Sequence, residues 1–346
     1  MKKTLCLTAL MASLISITAC THTPTQQDKK PSNTVIKDSL EQRFIKHLGE
    51  MEKIAAQYDG NRAVGTGGGQ ATATYIIAEV KKAGLTAQMI PFENRNKVVA
   101  QNIIVELKGK NPNKAMIIGA HYDSVKMGPG INDNGTGVAV LLELIQFYAN
   151  QKIAPEQTIY FAFWDSEEDG IGGSQHFVSK MNEAQLKAIT AYINIDMVGT
   201  KNPRILIADA DKSSLMDMQA QFKATGLPEE NYKPIIHSLK SLPSHSGDTA
   251  LENHLKRFFQ ARNLEIKEDI STLTASDTVA FLGKVPVTSI ILFNEQERAG
   301  ENKSETILDF APCYHQACDT SAHVDPKSMV LAYDAIQHLL SVVQKQ

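Results

Sequence analysis

Apolar residues recur along this chain with two different periods, and the switches between them mark its elements. Over residues 38–58, Leu40, Phe44, Ile45, Leu48, Met51 and Ile54 follow three- and four-residue spacing, which predicts an amphipathic helix. Further helices are expected over 70–83, 135–149, 173–181, 184–189, 212–225, 248–262 and 326–343, with Gly84 stopping the first of them. Strand-like runs fall at 86–93, 98–107, 114–120, 157–164, 190–197, 203–208 and 286–293. Two segments, Ala115-Met116-Ile117-Ile118-Gly119-Ala120 and Ile159-Tyr160-Phe161-Ala162-Phe163-Trp164, are apolar almost throughout, as strands covered on both faces are. Alternation of such strands with helices predicts an α/β fold, a mostly parallel central sheet with mixed edges sandwiched between helices. Residues 209–275 mix helix signals with Pro and Ser turns and read as an excursion beside the sheet. The run Gly65-Thr66-Gly67-Gly68-Gly69 resembles a phosphate loop only superficially. It lacks the following Gly-Lys-Ser/Thr and no strand leads into it, so a helix-entry turn is expected there.

Composition adds limits. The 346 residues are 42% hydrophobic and 21% charged, enough for one sizeable core, and the net charge of −3 comes without a long basic run. No nucleic-acid partner is expected on that basis. The N-terminus differs from the rest. Met1-Lys2-Lys3, the apolar run Leu5 to Ile17 and then Ile17-Thr18-Ala19-Cys20 read as a lipoprotein signal peptide over 1–19, with Cys20 carrying a lipid as the mature first residue. An ordinary cleaved signal with an incidental Cys is the plainer alternative. Residues 20–36 then form the lipidated Cys and a flexible tether, and 37–346 a single domain. Thr21 in place of Asp resembles the sorting signal for an outer membrane, facing the periplasm or the cell surface. With Cys6 removed and Cys20 lipidated, Cys313 and Cys318 remain. In an exported setting a disulfide is expected, zinc ligation by the pair being the competing reading.

In an open α/β sheet, ligands bind where strand carboxyl ends open into loops. After strand 114–120 come His121-Tyr122-Asp123-Ser124 and then Gly130-Ile131-Asn132-Asp133-Asn134-Gly135-Thr136-Gly137. After strand 157–164 come Asp165-Ser166-Glu167-Glu168-Asp169-Gly170, and Asp196 closes strand 190–197. Late in the chain stands Cys313-Tyr314-His315-Gln316-Ala317-Cys318-Asp319-Thr320. Each fragment alone has a plain structural explanation, a helix cap or a solvated acidic face. Imidazole and carboxylate without thiolate suit zinc in a catalytic site, and three carboxylates with two imidazoles can serve two ions if one carboxylate bridges. Two such ions would lower the pKa of a shared water.

Together and in this order, these segments resemble the signatures of the co-catalytic dizinc aminopeptidases, a family that also holds glutamate carboxypeptidases, glutaminyl cyclases and the non-catalytic transferrin-receptor ectodomain. The resemblance is motif-deep over 115–199 and 310–321 and follows element order over roughly 40–345. It implies a zinc-exopeptidase-like fold and two Zn2+ per chain. His121 and Asp196 would hold one ion, Glu168 and His315 the other, and Asp133 would bridge. It also implies Asp123 as the group orienting His121, Glu167 as general base, Tyr314 as donor to the oxyanion, and a cis Asp133-Asn134 peptide bond. The implied activity is release of N-terminal amino acids from peptides with a free N-terminus. A glutaminyl cyclase or a carboxypeptidase on the same scaffold is the alternative within enzymes, and a non-catalytic binding module the alternative outside them. One departure stands out. The family often carries Ser-Asp-His-x-x-Phe late in the chain, where this sequence has Ala275-Ser276-Asp277-Thr278-Val279-Ala280-Phe281. His22, His47, His176, His237, His245, His254, His323 and His338 are expected to be structural or surface residues. Ser174 and Ser276 lack a G-x-S-x-G turn, against a serine hydrolase.

Overall fold

The computed structural model describes residues 38–151, 154–299 and 306–345. The signal peptide, Cys6, Cys20 and the tether to residue 36 lie outside the described residues. Helix α1 (Leu40–Gln57) starts on a capping box in which Ser39 and Gln42 each accept the other's backbone N–H. Helix α2 (Gly67–Lys82) is capped by Thr66, whose hydroxyl accepts the Gly69 N–H, so the glycine run is a helix entry as its sequence suggests. A Cβ on Gly68 or Gly69 would collide with the carbonyls of Asn61 and Ala63, which is why small residues stand there.

Strands β1 (Ala87–Glu93), β2 (Val99–Leu107) and β3 (Asn111–His121) follow, then a kinked turn Ile131–Gly135 and helix α3 (Thr136–Ala149). Strand β4 (Gln157–Trp164), helices α4 (Gly172–Ser179) and α5 (Glu183–Ala188), and strands β5 (Ile189–Asp196) and β6 (Arg204–Ala208) come next. Residues 209–275 hold α6 (Ser214–Ala224), α7 (Glu229–Lys240), α8 (Asp248–Gln260), β7 (Ile266–Asp269) and the single turn α9 (Ser271–Thr274). A 3-10 turn Asp277–Ala280, strands β8 (Val287–Phe293), β9 (Gln296–Ala299) and β10 (Thr306–Asp309), and helix α10 (Pro326–Val343) complete the chain.

Eight strands form one mixed sheet in the order β1-β2-β4-β3-β5-β8-β6-β7, and β9 and β10 form a separate antiparallel pair. The central four, β4, β3, β5 and β8, run parallel, while β1, β2 and the β6–β7 pair supply the mixed edges. Against one face lie α1, α2, α3, α8 and α10, and against the other α4, α5 and α9, with α6 and α7 packed together on that same side. Helix α3 has every residue from Thr136 to Ile145 buried, because it is wrapped by the sheet and by α1 and α10. Its one buried acid, Glu143, is held by Arg43 at 2.6 Å and His47 at 3.1 Å, which accounts for His47 as a structural histidine. No helix among the described residues is long and apolar enough to cross a membrane.

Element boundaries read from the sequence differ from these by a few residues. Helix α7 and strands β7, β9 and β10 had no clear signal. Helix α7 is polar, carries Pro234 inside it and buries only Tyr232. Strand β7 has four half-buried residues on the sheet edge, too few to display a period.

Candidate functional site

Parallel strands bring their carboxyl ends to one edge, and register decides what meets there. His121 at the end of β3 lies level with Trp164 at the end of β4. Gly119 pairs with Asn194, which puts His121 level with Asp196 two residues further along β5. His121 Nε2 lies 3.6 Å from Asp196 Oδ1 and 3.2 Å from Asp133 Oδ1. The other Asp133 oxygen is 3.3 Å from His315 Nε2, which is itself 3.2 Å from Glu168 Oε2. Asp133 thus stands between two imidazoles, one oxygen toward each.

These five side chains have the chemistry to hold zinc. The donor set is imidazole and carboxylate. Candidate ligand atoms of His121, Asp133 and Glu168 all lie within 4.8 Å of one another. Glu168 Oε1 and Asp196 Oδ1 are buried without a hydrogen-bond partner, the condition of acceptors that await a cation. Cys313 and Cys318 are joined to each other, with Cα atoms 5.4 Å apart, and so hold no metal. The loop they close carries Tyr314 and His315. Cys313 and His315 both adopt positive φ, a costly conformation for non-glycine residues that a closed loop holds in place.

Around the ligands, backbone groups are tied down one by one. Asp123 accepts the N–H groups of Glu167 at 3.1 Å and Glu168 at 3.3 Å, and its Oδ1 lies 3.5 Å from His121 Nδ1. Asp319 accepts the N–H groups of Asn132 at 2.8 Å and Asp133 at 3.1 Å. Asn134 donates to the Ile195 carbonyl at 2.8 Å and accepts from the Met197 N–H at 3.3 Å, joining the Asp133 turn to the end of β5. The Asp133-Asn134 peptide bond is cis, as the resemblance implies.

Charge at the site follows from burial and partners. Desolvation pushes Asp133 up, but hydrogen bonds from His121 and His315 outweigh it and hold the carboxyl well below its usual range. Burial pulls His315 down, yet Asp133 and Glu168 raise it to about 10. Glu168 is pushed up to about 7 by burial and by the Asp133 charge. Burial raises Glu167 well above its usual value, with His121 opposing and Asp277 and Asp196 adding to the rise.

The cleft over these groups spans about 500 Å³, part of it open to solvent. Its lining combines the polar groups His121, Asp133, Glu167, Glu168, Asp196, Tyr314 and His315 with the apolar Met197, Leu206, Ile291, Phe293 and Phe310, and Ser271 and Ala275 complete it. Leu206 and Ile291 are a direct cross-strand pair between β6 and β8. Tyr314 stacks on His315 with ring centroids 3.8 Å apart and meets Phe310 edge-on.

All eight residues singled out from the sequence therefore converge. Four features were not read there: the backbone-holding role of Asp319, the apolar part of the lining, the buried Asp277 carboxylate and Arg62. Ile291 and Phe293 end a strand at the same sheet edge and would have been found by searching strand ends for apolar as well as polar groups. Nothing near Arg62 in sequence signals its contacts, which lie about sixty residues further on.

Fold and site define a peptidase-like architecture of the α/β class with an imidazole–carboxylate cluster suited to zinc. Residues 102–340 match the model of Peptidase family M28, and the chain belongs to that family. It is 30% identical over 254 residues to an aminopeptidase of Pseudomonas aeruginosa, covering 71% of this chain and 42% of that protein. It is likewise 30% identical over 231 residues to the "Probable lipoprotein aminopeptidase LpqL" of Mycobacterium tuberculosis, covering 65% of this chain and 42% of that one. The chain spans about two-fifths of the length of these curated relatives. Among solved structures, an aminopeptidase from Aneurinibacillus sp. strain AM-1 shares the fold with a TM-score of 0.62 at 14% identity, over 86% of this chain and 92% of that one. A zinc aminopeptidase from Bacillus subtilis shares it with a TM-score of 0.51 at 24% identity, over 71% and 50%.

Proposed function

We propose that this protein is a zinc-dependent aminopeptidase that releases apolar N-terminal residues from peptides. The observation that carries the reading is the composition of the cleft. Five candidate ligand side chains and Glu167 share the cleft with an apolar surface, and among the described lining residues there is no Arg or Lys. A carboxypeptidase needs a cation to grip the substrate's terminal carboxylate. A free α-amine instead finds carboxylates here.

In this reading His121 and Asp196 would hold one zinc and Glu168 and His315 the other, with Asp133 lying between them. Bound there, the ions supply Lewis acidity and a lowered water pKa. Glu167 takes the proton of the attacking water and returns it to the leaving amine, a role suited to a carboxyl whose affinity for protons burial has raised. Asp123 keeps Glu167 and Glu168 in place through their backbone N–H groups and orients His121. Tyr314 donates its hydroxyl to the oxyanion that develops on the scissile carbonyl. The first residue of the peptide packs its side chain against Leu206, Ile291 and Phe293.

The same proposal puts the enzyme outside the cytoplasm, held to a membrane by a lipid on Cys20. The sequence Ile17-Thr18-Ala19-Cys20, the disulfide and the likeness to a lipoprotein aminopeptidase support that part. Outer-membrane placement rests on Thr21 alone.

The test is incubation of the purified protein with matched peptides carrying a free N-terminus, an acetylated N-terminus or an N-terminal Gln, read by mass spectrometry. Stepwise loss from free N-termini is expected. Shortening from the other end, or loss of ammonia from the Gln peptide without shortening, refutes the aminopeptidase reading in favour of a carboxypeptidase or a cyclase. No change in any peptide refutes catalysis.

A further inference from the structure

Among the described residues, Arg62 is the only Arg or Lys that is buried, and its exposure is 0%. A guanidinium removed from water costs several kcal/mol unless its donors are matched, so the partners it has are informative. They are not carboxylates. Nε donates to the Pro129 carbonyl at 2.8 Å, Nη2 to the Gly130 carbonyl at 2.5 Å and Nη1 to the Tyr122 carbonyl. The Arg62 backbone N–H adds a bond at 2.9 Å to the Ser124 hydroxyl, which itself donates toward Val125 and Gly128.

Those partners belong to two segments. Tyr122 sits between His121 and Asp123 at the end of β3. Pro129 and Gly130 open the turn that delivers Asp133. Gly130 has φ +60°, and a Cβ there would collide with the Asp133 carbonyl and Ser124, so the turn is closely packed on the Arg62 side. On its other side the turn is held by Asp319, through the Asn132 and Asp133 N–H groups. Carbonyls at the start of the turn thus face a buried cation, and amides at its end face a buried anion.

The charge has a role as well. The carboxylates that act on Arg62 are, in order of influence, Asp123, Asp319, Asp133 and Glu168. None pairs with it directly, so its positive charge is not consumed by one partner and reaches all four. Several acids crowded in a dry site repel one another, and a fixed cation behind them offsets part of that repulsion. The glycine run at the start of α2 makes the arrangement possible, because it lets the Asn61–Ala63 backbone lie directly against the helix.

We propose that Arg62 is a positioning residue of the metal centre, fastening the strand end that carries His121 to the turn that carries Asp133, so that these two ligands are in place before an ion arrives. The inference rests on the zinc reading above. A planar fork is required, since three carbonyls are met in three directions; a lysine ammonium brings charge but not that geometry. Loss of groups that support metal ligands costs about 10–100-fold in metal affinity, and that range is expected here.

The experiment compares full-length wild type with Arg62→Lys and Arg62→Met. Zinc affinity and stoichiometry are read by competition with a chromophoric chelator, and ligand geometry by the visible spectrum of the cobalt(II)-loaded proteins. Circular dichroism and thermal unfolding of the metal-free forms monitor the fold. Both variants are expected to fold, to bind zinc about 10–100-fold more weakly at the site containing His121, and to show an altered cobalt spectrum. Wild-type affinity in the lysine variant would overturn the proposal, because charge alone would then suffice. Failure of both variants to fold would also overturn it, making Arg62 a support of the whole domain rather than of the site. If wild type itself bound no zinc, the functional reading would fall; two tight zincs in all three proteins would remove the Arg62 inference alone.

Discussion

Replacing Asp277 by Asn should stabilise the metal-free protein at alkaline pH and destabilise it by about 1–3 kcal/mol in acid, where only the cost of the amide remains. Asp277 is fully buried, and neither carboxylate oxygen has a hydrogen-bond partner. Burial pushes its carboxyl from 3.8 up to about 7. The His121 charge opposes that rise, as does the Ser174 hydroxyl, close enough to act without a well-formed hydrogen bond, while Asp196 and Asp123 add to it. The native state therefore keeps a proton that the unfolded chain has released. Stability contributed by the neutral form is complete below about pH 4 and is lost as pH rises toward 7, by up to about 1.4 kcal/mol per pH unit. The full interval amounts to roughly 4 kcal/mol, a ceiling, since neighbouring acids share the titration and water relaxes the site. Asn has the same shape and no charge, but its amide also needs partners, an opposing cost of about 1–3 kcal/mol. The net gain expected for Asp277→Asn at pH 8 is therefore about 1–3 kcal/mol. Urea unfolding of chelator-treated wild type and variant at several values between pH 4 and 8 measures it. Parallel pH dependences, or a variant less stable at pH 8 than at pH 4 relative to wild type, would refute the reasoning.

Glu167→Gln should retain two zincs and lose about 10²–10⁴-fold in turnover of peptides, measured by amino-acid release alongside metal analysis. Full activity there would sink the proposed mechanism. Glu168→Gln should leave one of the two sites unoccupied when metal content is titrated. Removing the disulfide by Cys313→Ser with Cys318→Ser should cost about 2 kcal/mol in chemical unfolding, because the closed loop is short. Ile291→Ala should lower kcat/KM for peptides beginning with Leu by about tenfold while sparing those beginning with Ala, since the apolar part of the cleft lining would lose contacts only a large side chain makes.

How much of this was readable beforehand depends on where the information resides. From Ala115 onward in β3, and through most of β4 and β5, the strands are covered on both faces, so these stretches are largely apolar and their carboxyl ends are sharp. Once those three are taken as parallel neighbours, His121, the Glu167–Glu168 pair and Asp196 must share one edge, and no further knowledge is needed to bring them together. Asp133 and His315 are different. They reach the site on a turn and a closed loop whose paths no periodicity describes, and only the family resemblance placed them. Helix α7 escaped because it buries one residue, and β7 because four half-buried residues carry no pattern. Arg62 marks the boundary most clearly. Its side chain meets carbonyls sixty to sixty-eight positions away, and a backbone carbonyl is present at every residue whatever its type. A contact made to backbone leaves no complementary side chain for a sequence to display, so the groups that assemble such a site can be less legible than those that would perform its chemistry.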